Sequence, residues 1–232
     1  MGEEIETRYV GFCDILGFSN KVLTDFDRTL EIYKEFASLF LSVPAAKDVE
    51  ITIYSDAVLI TSESLIRVAQ TIQRLWFVAL VHNLMLRGAI TKGRYWVRRH
   101  DNHMLVASDA LARAVKIERS VGVPAVVIAD DVEIPDVVWM SRFVNGAYTT
   151  PILHFRERNI VNPFNIMWGT SAGDRASQLM VESPAHRDKY LWFLSLYQAV
   201  KNDHELAPPG TLERFLREGI VKEKTKDSSE KV

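Results

Sequence analysis

The chain has a single cysteine, Cys13, among 232 residues. One thiol excludes a disulfide framework and points to a reducing, cytoplasmic setting. Charge of neither sign is in excess: 28 Lys and Arg stand against 30 Asp and Glu. Without a basic excess or a polybasic run, neither nucleic acid nor a membrane surface is expected as a partner. No apolar run is long enough to span a bilayer. The opening Met1-Gly-Glu-Glu-Ile-Glu6 lacks the apolar stretch of a signal peptide, and the acids after Gly2 argue against myristoylation. There is no internal repeat and no linker that splits the chain. What is present is an ordinary globular composition, 47% hydrophobic and 25% charged. The length suffices for a sizeable core.

One stretch stands out, Tyr9-Val-Gly-Phe-Cys-Asp14-Ile-Leu-Gly-Phe-Ser19. It reads as a buried strand over residues 8–16 with a carboxylate in its middle. That carboxylate is costly unless paired or bound to a cation. Apolar residues then recur at helical spacing from Thr24 to Leu41, with Thr24 and Asp27 as a capping pair and Pro44 as a stop. Residues 49–61 read as a hairpin about Tyr54-Ser-Asp56, although the glycine usual at such turns is missing. A long helix follows from a Ser62 or Ser64 cap through Leu65, Ile72, Trp76 and Ala79. Leu84 to Val97 reads as a strand whose glycines at 88 and 93 signal a bulge or a closely approaching backbone.

Residues 98–103 form a polar turn, 104–107 a short strand, and Ser108 or Asp109 caps a helix to Arg119. Further strands are expected at 124–129, 152–155 and 160–167, with an acidic stretch at 130–139 that reads as irregular or as holding a helical turn. Helices are expected at 174–182, 187–201 and 210–219. The charged tail at 222–232 reads as disordered. The pattern predicts an α+β sandwich, an antiparallel or mixed sheet with helices on one face. Residues 1–170 form the main domain, 171–221 a helical extension packed on it, and 222–232 the tail.

Asp14 and Asp56 both lie in apolar surroundings. If the hairpin pairs beside the first strand, the two meet at its end. Close carboxylates repel unless a proton or a divalent cation sits between them. Oxygen ligands of this kind suit magnesium or manganese, with phosphate oxygens completing the shell. The backbone of Gly17-Phe18-Ser19 turns into a helix, and its free N–H groups suit a triphosphate. Read singly, either Asp is a turn or cap residue; read as a pair, they favour a metal.

The string Phe12-Cys-Asp14-Ile-Leu-Gly-Phe-Ser19 resembles the first-strand signature of class III nucleotidyl cyclases. Ser55-Asp56-Ala57 stands where that family has its Gly-Asp hairpin. Leu86-Arg-Gly-Ala-Ile-Thr-Lys-Gly93 resembles its Leu-Arg-x-Gly segment. Ala107 to Glu118 resembles the helix that carries its transition-state residues. The four motifs agree in order and spacing over residues 8–130. The resemblance implies a class III cyclase-like sandwich, a homodimer with shared active sites, and two Mn²⁺ or Mg²⁺ ions bridged by Asp14 and Asp56, one of them also on the Ile15 carbonyl. It implies in-line attack of the ribose 3′-hydroxyl on the α-phosphorus, with pyrophosphate leaving.

The sequence departs from the purine-selective members. Thr52 stands at the base-reading lysine, and the carboxylate expected near Leu105 is missing. Ala112 falls at the transition-state Asn. Lys116 falls at the transition-state Arg, with Arg113 close by, and Lys lacks the bidentate fork of Arg. These departures resemble the bacterial pyrimidine cyclases of the Pycsar anti-phage system, which carry a tyrosine just ahead of the hairpin Asp, as Tyr54 is here. That resemblance implies a stand-alone enzyme making cyclic UMP from UTP, its product read by a separate effector protein. Tyr54 then selects the base by stacking or by filling space; alternatively it is a core aromatic. The other readings are a CTP or ATP cyclase on the same scaffold, and an inactive nucleotide-sensing module.

Other features carry less. Trp96 to His100 reads as a solvated hairpin tip rather than a phosphate or RNA contact. His82, His100 and His103 lack zinc-ligand spacing. Ser171 lacks the strand and partners of a nucleophile elbow. Trp192, Phe193, Leu196 and Ala199 share a helix face and read as core or dimer contacts.

Overall fold

A computed structural model describes residues 5–42, 44–101, 103–165, 169–182 and 184–221. The predicted tail at 222–232 and residues 166–167 of the predicted strand lie outside the described residues. Strands β1 (Glu6–Ile15), β2 (Glu50–Tyr54), β3 (Ala57–Ser62), β4 (Leu86–His100), β5 (His103–Ser108), β6 (Val126–Ile128), β7 (Ile152–Phe155) and β8 (Arg158–Val161) form one sheet. Its order is β2-β3-β1-β4-β6-β8-β7, and β5 pairs off this path with β4. The β4–β6 pair is parallel, and the other pairings are antiparallel. The sheet is therefore mixed, and the α+β class expected from the sequence is the one found.

The helices are α1 (Phe18–Thr24), α2 (Phe26–Leu41), α3 (Leu65–Val81), α4 (Asp109–Ser120), α5 (Asp136–Asn145), α6 (Gly169–Glu182), α7 (Arg187–Lys201) and α8 (Thr211–Arg217). They flank both faces of the sheet, not one. Successive strand residues point to opposite faces. A Cβ on Gly11 would meet Ile72 and Val68 of α3, whereas Val10 beside it packs with Ala110 of α4. Ala110, Ala114 and Glu118 recur every fourth residue and form the buried face of α4. That face is short, two alanines and one buried carboxylate, and it seats α4 over β1 and β4.

The helix expected from Thr24 to Leu41 is α2, and the short helix α1 precedes it. Asp25 ends α1 and caps α2, its carboxylate accepting from the Arg28 N–H at 3.2 Å. The cap is thus Asp25 rather than the Thr24–Asp27 pair, because Asp25 precedes the first apolar turn of α2. Ser64 caps α3 and Ser108 caps α4. The acidic stretch is irregular up to Pro135, as expected, and α5 starts behind that proline, a residue suited to a helix start.

The core runs between the sheet and α3. Ile72, Leu75 and Trp76 have no solvent exposure, and each such side chain contributes roughly 2–3 kcal/mol by burial. Trp76 stacks on Phe193 of α7, with ring centroids 5.5 Å apart, and Phe164 lies 5.2 Å from the same ring. Phe193, Leu196 and Ala199 are therefore core residues, while half-buried Trp192 meets Phe155 edge-on. β4 and β5 pair beyond the end of β1, from Trp96 opposite Ala107 to His100 opposite His103, so strand replaces much of the polar turn expected at 98–103.

Candidate active site

The two carboxylates meet at one end of the central strands. Asp14 lies opposite Ala57 of β3 and opposite Arg87 of β4. The β2–β3 turn is the two residues Ser55 and Asp56. Ser55 takes a positive φ of 55°, the role a glycine usually fills. The turn is tied to β1, since the Ile15 N–H donates to the Asp56 carbonyl at 3.0 Å. Asp56 is thereby held beside the carboxylate two strands away in sequence.

The strand then turns at Gly17, whose φ of 75° places it in the left-handed region at the start of α1. Nothing stands within 4 Å of a Cβ built there, so the requirement is conformational. The turn throws Ser19 towards the hairpin, and its hydroxyl donates to Asp56 Oδ2 at 2.8 Å. Phe18 contributes backbone only, because its side chain is buried against Tyr33, 5.2 Å between ring centroids.

Two further residues complete the cluster. Arg87 Nη2 donates to Asp14 Oδ2 at 3.2 Å, and its Nε lies 2.5 Å from Glu118 Oε1 on the buried face of α4. Glu118 is only 4% exposed. Two carboxylates therefore share one guanidinium, and the Asp56 charge lies close by. Burial, the Asp56 charge and the Glu118 charge push the Asp14 carboxyl up to about 6, and Arg87 offsets only part of this. An excess of negative charge held in place is what a divalent cation relieves. Among the described residues no group of three or more His, Cys, Asp or Glu is arranged around a common ion position. The Asp pair with the Ile15 carbonyl would supply only part of a coordination shell, so an ion held there would need phosphate oxygens and water for the rest.

The strained charge makes a stability prediction. An ionised carboxyl moved from 3.8 to about 6 costs the folded state up to ~3 kcal/mol. The folded pKa is raised, so this cost is absent at low pH, grows from about pH 4 to 6 and is full above 6. Asp14→Asn is thus expected to raise the melting temperature of the metal-free protein by several degrees at pH 8 and by clearly less at pH 4.5. Calorimetry at the two pH values reads this; a lower melting temperature at pH 8 would contradict it.

The remaining sequence-predicted residues lie apart. Thr52 is half-buried in β2 opposite Leu59. Tyr54 is 82% exposed, which removes its reading as a core aromatic and leaves its ring beside the Asp56 turn. Lys116 is on the exposed side of α4, away from the face that carries Glu118. Arg113 is tied to the Asp131 carboxylate and the Lys92 carbonyl. Among the described residues, neither cation forms an ion pair or hydrogen bond with Asp14 or Asp56. Arg87 and Glu118 lie inside the motifs named above, but sequence alone assigns them no role, since their meeting with Asp14 depends on strand register and on which face α4 covers. Cys13, fully buried, has its thiol pushed up by burial and offers no nucleophile. Ser171 lies in the first turn of α6, and His82 pairs with Glu35 at 3.7 Å.

No protein-family model matches the chain, and no curated protein matches it. Solved structures do. The adenylyl cyclase CyaB from P. aeruginosa matches with a TM-score of 0.48 and 11% identity, covering 69% of this chain and 94% of that one. The guanylyl cyclase Cya2 matches at 0.48 and 9%, covering 70% and 93%. A class III adenylyl cyclase-like ATP-binding protein from Pseudomonas aeruginosa matches at 0.46 and 11%, covering 72% of this chain and 40% of that one. Likeness at this level is similarity of overall shape and says nothing of the reaction. No helix among the described residues is long and apolar enough to cross a membrane.

Proposed function

We propose that the chain is a class III nucleotide cyclase, a lyase that converts UTP to 3′,5′-cyclic UMP and pyrophosphate. The observation that carries this reading is the convergence of Asp14, Asp56 and Ser19 from separate motifs at one sheet end. Asp14, Asp56 and the Ile15 carbonyl would hold two Mn²⁺ or Mg²⁺ ions. Bound there, such ions supply Lewis acidity at the ribose hydroxyl and neutralise the triphosphate. Ser19 orients the Asp56 carboxylate by its hydrogen bond. Arg87, anchored by Glu118, holds Asp14 in place. The backbone N–H groups of Gly17, Phe18 and Ser19 offer donors to the phosphates as the chain enters α1.

The active species is a homodimer with shared sites. Lys116 and Arg113 lie away from their own Asp pair and act on the site of the partner subunit, where Lys116 offsets charge in the transition state. Thr52 and exposed Tyr54 select the pyrimidine, with the Tyr54 ring free to stack. The cyclic product serves anti-phage defence in the cytoplasm by acting on a separate effector. Residues 1–170 form the cyclase domain and 171–221 an extension that buttresses it. A second reading, a nucleotide-sensing module without turnover, is favoured by the engagement of Arg113 with Asp131. Incubation with each of the four ribonucleoside triphosphates and Mn²⁺ separates these readings. Pyrophosphate release with cyclic UMP as the main product is expected. Cyclic CMP or cyclic AMP instead reassigns the base, and binding without product favours the sensing module.

A further inference from the structure

A second cleft, of about 430 Å³, lies behind the turn at Gly17, between α1, α2 and the C-terminal helices α6 and α7. That volume is in the range of small-ligand sites. Three cations line it, Lys21 of α1, Arg28 of α2 and Lys189 of α7. Among the described residues, the charged ends of these three make no ion pair within 4 Å and no hydrogen bond. Two carboxylates also line the cleft, each hydrogen-bonded to a neutral donor. Asp25 accepts from the Arg28 N–H as the cap of α2, and Glu182 accepts from Gln178 Nε2 at 2.8 Å. Burial lowers the Lys21 ammonium pKa, with Glu182 opposing the shift and Arg28 adding to it. Tyr190, half-buried, adds an aromatic wall.

We propose that this cleft is a binding site for a di- or triphosphate group, as carried by free pyrophosphate or by a nucleotide. Three convergent cations on three elements match the several charged oxygens of such a group. Helix α1 separates the cleft from the Asp pair: Ser19 faces Asp56, while Asn20, Lys21 and Thr24 face the cleft. A ligand there braces α1 against the C-terminal helices and thereby fixes the turn that orients Ser19. The proposal does not depend on the reaction proposed above, because binding is read without metal or turnover.

The test is isothermal titration calorimetry on the full chain in EDTA, with inorganic pyrophosphate and separately with ATP. One molecule is expected per chain, weakened at least about tenfold in Lys21→Ala/Lys189→Ala and weakened further by added salt. Arg28→Glu, at an exposed position, is expected to do the same and guards against misfolding of the double variant. Tighter binding of ATP than of pyrophosphate assigns the site to nucleotides, and equal binding assigns it to the phosphates alone. Absence of heat at millimolar concentration overturns the site. So does binding that survives both cleft variants but is lost in Arg87→Ala, which places the anion beside the Asp pair.

Discussion

Asp14→Asn and Asp56→Asn are each expected to lose at least about a thousandfold in cyclic nucleotide formation with the fold intact. The reason is charge. A reaction that displaces pyrophosphate at an α-phosphorus develops negative charge that only cations in place can stabilise, an effect worth several kcal/mol. Each ~1.4 kcal/mol is a factor of ten in rate. Asn keeps the shape and one carbonyl oxygen, but removes the charge that holds an ion. Asp14 lies beside Arg87 and buried Glu118, so its replacement leaves the packing intact and relieves repulsion. An inactive variant with a raised melting temperature at pH 8 distinguishes loss of chemistry from loss of fold. Product formation by either variant at the parental rate would remove the metal reading of the pair.

Gly88→Ala is expected to destabilise the protein by about 3 kcal/mol and to lower the melting temperature by roughly 6–12 °C. A Cβ at Gly88 would stand 2.3 Å from the Phe12 carbonyl oxygen and 3.0 Å from the Cys13 Cα. Both are backbone atoms of a central strand, so no side chain can swing aside. β4 must move away from β1, and Arg87 moves with it from Asp14. Cyclisation should therefore fall by more than the unfolded fraction explains. Gly122→Ala is the control, since nothing lies within 4 Å of a Cβ there, and less than about 0.5 kcal/mol is expected. Thermal unfolding of the two variants side by side decides it. Equal melting temperatures would show that β1 and β4 do not depend on this close approach.

The two glycines of β4 show how far sequence reaches. Glycine inside an apolar strand signals a nearby backbone, and at 88 that backbone is β1. Gly93 is explained differently: a Cβ there would strike the Asp109 carboxylate and Ala110 at the start of α4. One sequence signal thus had two tertiary causes, a strand and a helix. The exact start of α2 is less legible, because the capping bond of Asp25 appears only once the chain bends after α1.

The sequence by itself determined the carboxylate in an apolar strand, the hairpin that carries the second, and the turn at Gly17. These are local facts, since strand period, turn chemistry and the left-handed conformation depend on a few adjacent residues. Only the tertiary structure decided that Ser19 reaches Asp56, that Arg87 bridges Asp14 and Glu118, and that Tyr54 is exposed. Those outcomes follow from strand register and from the sheet face that α4 covers. Both are set by packing between residues 30 to 100 positions apart, for which no local pattern exists.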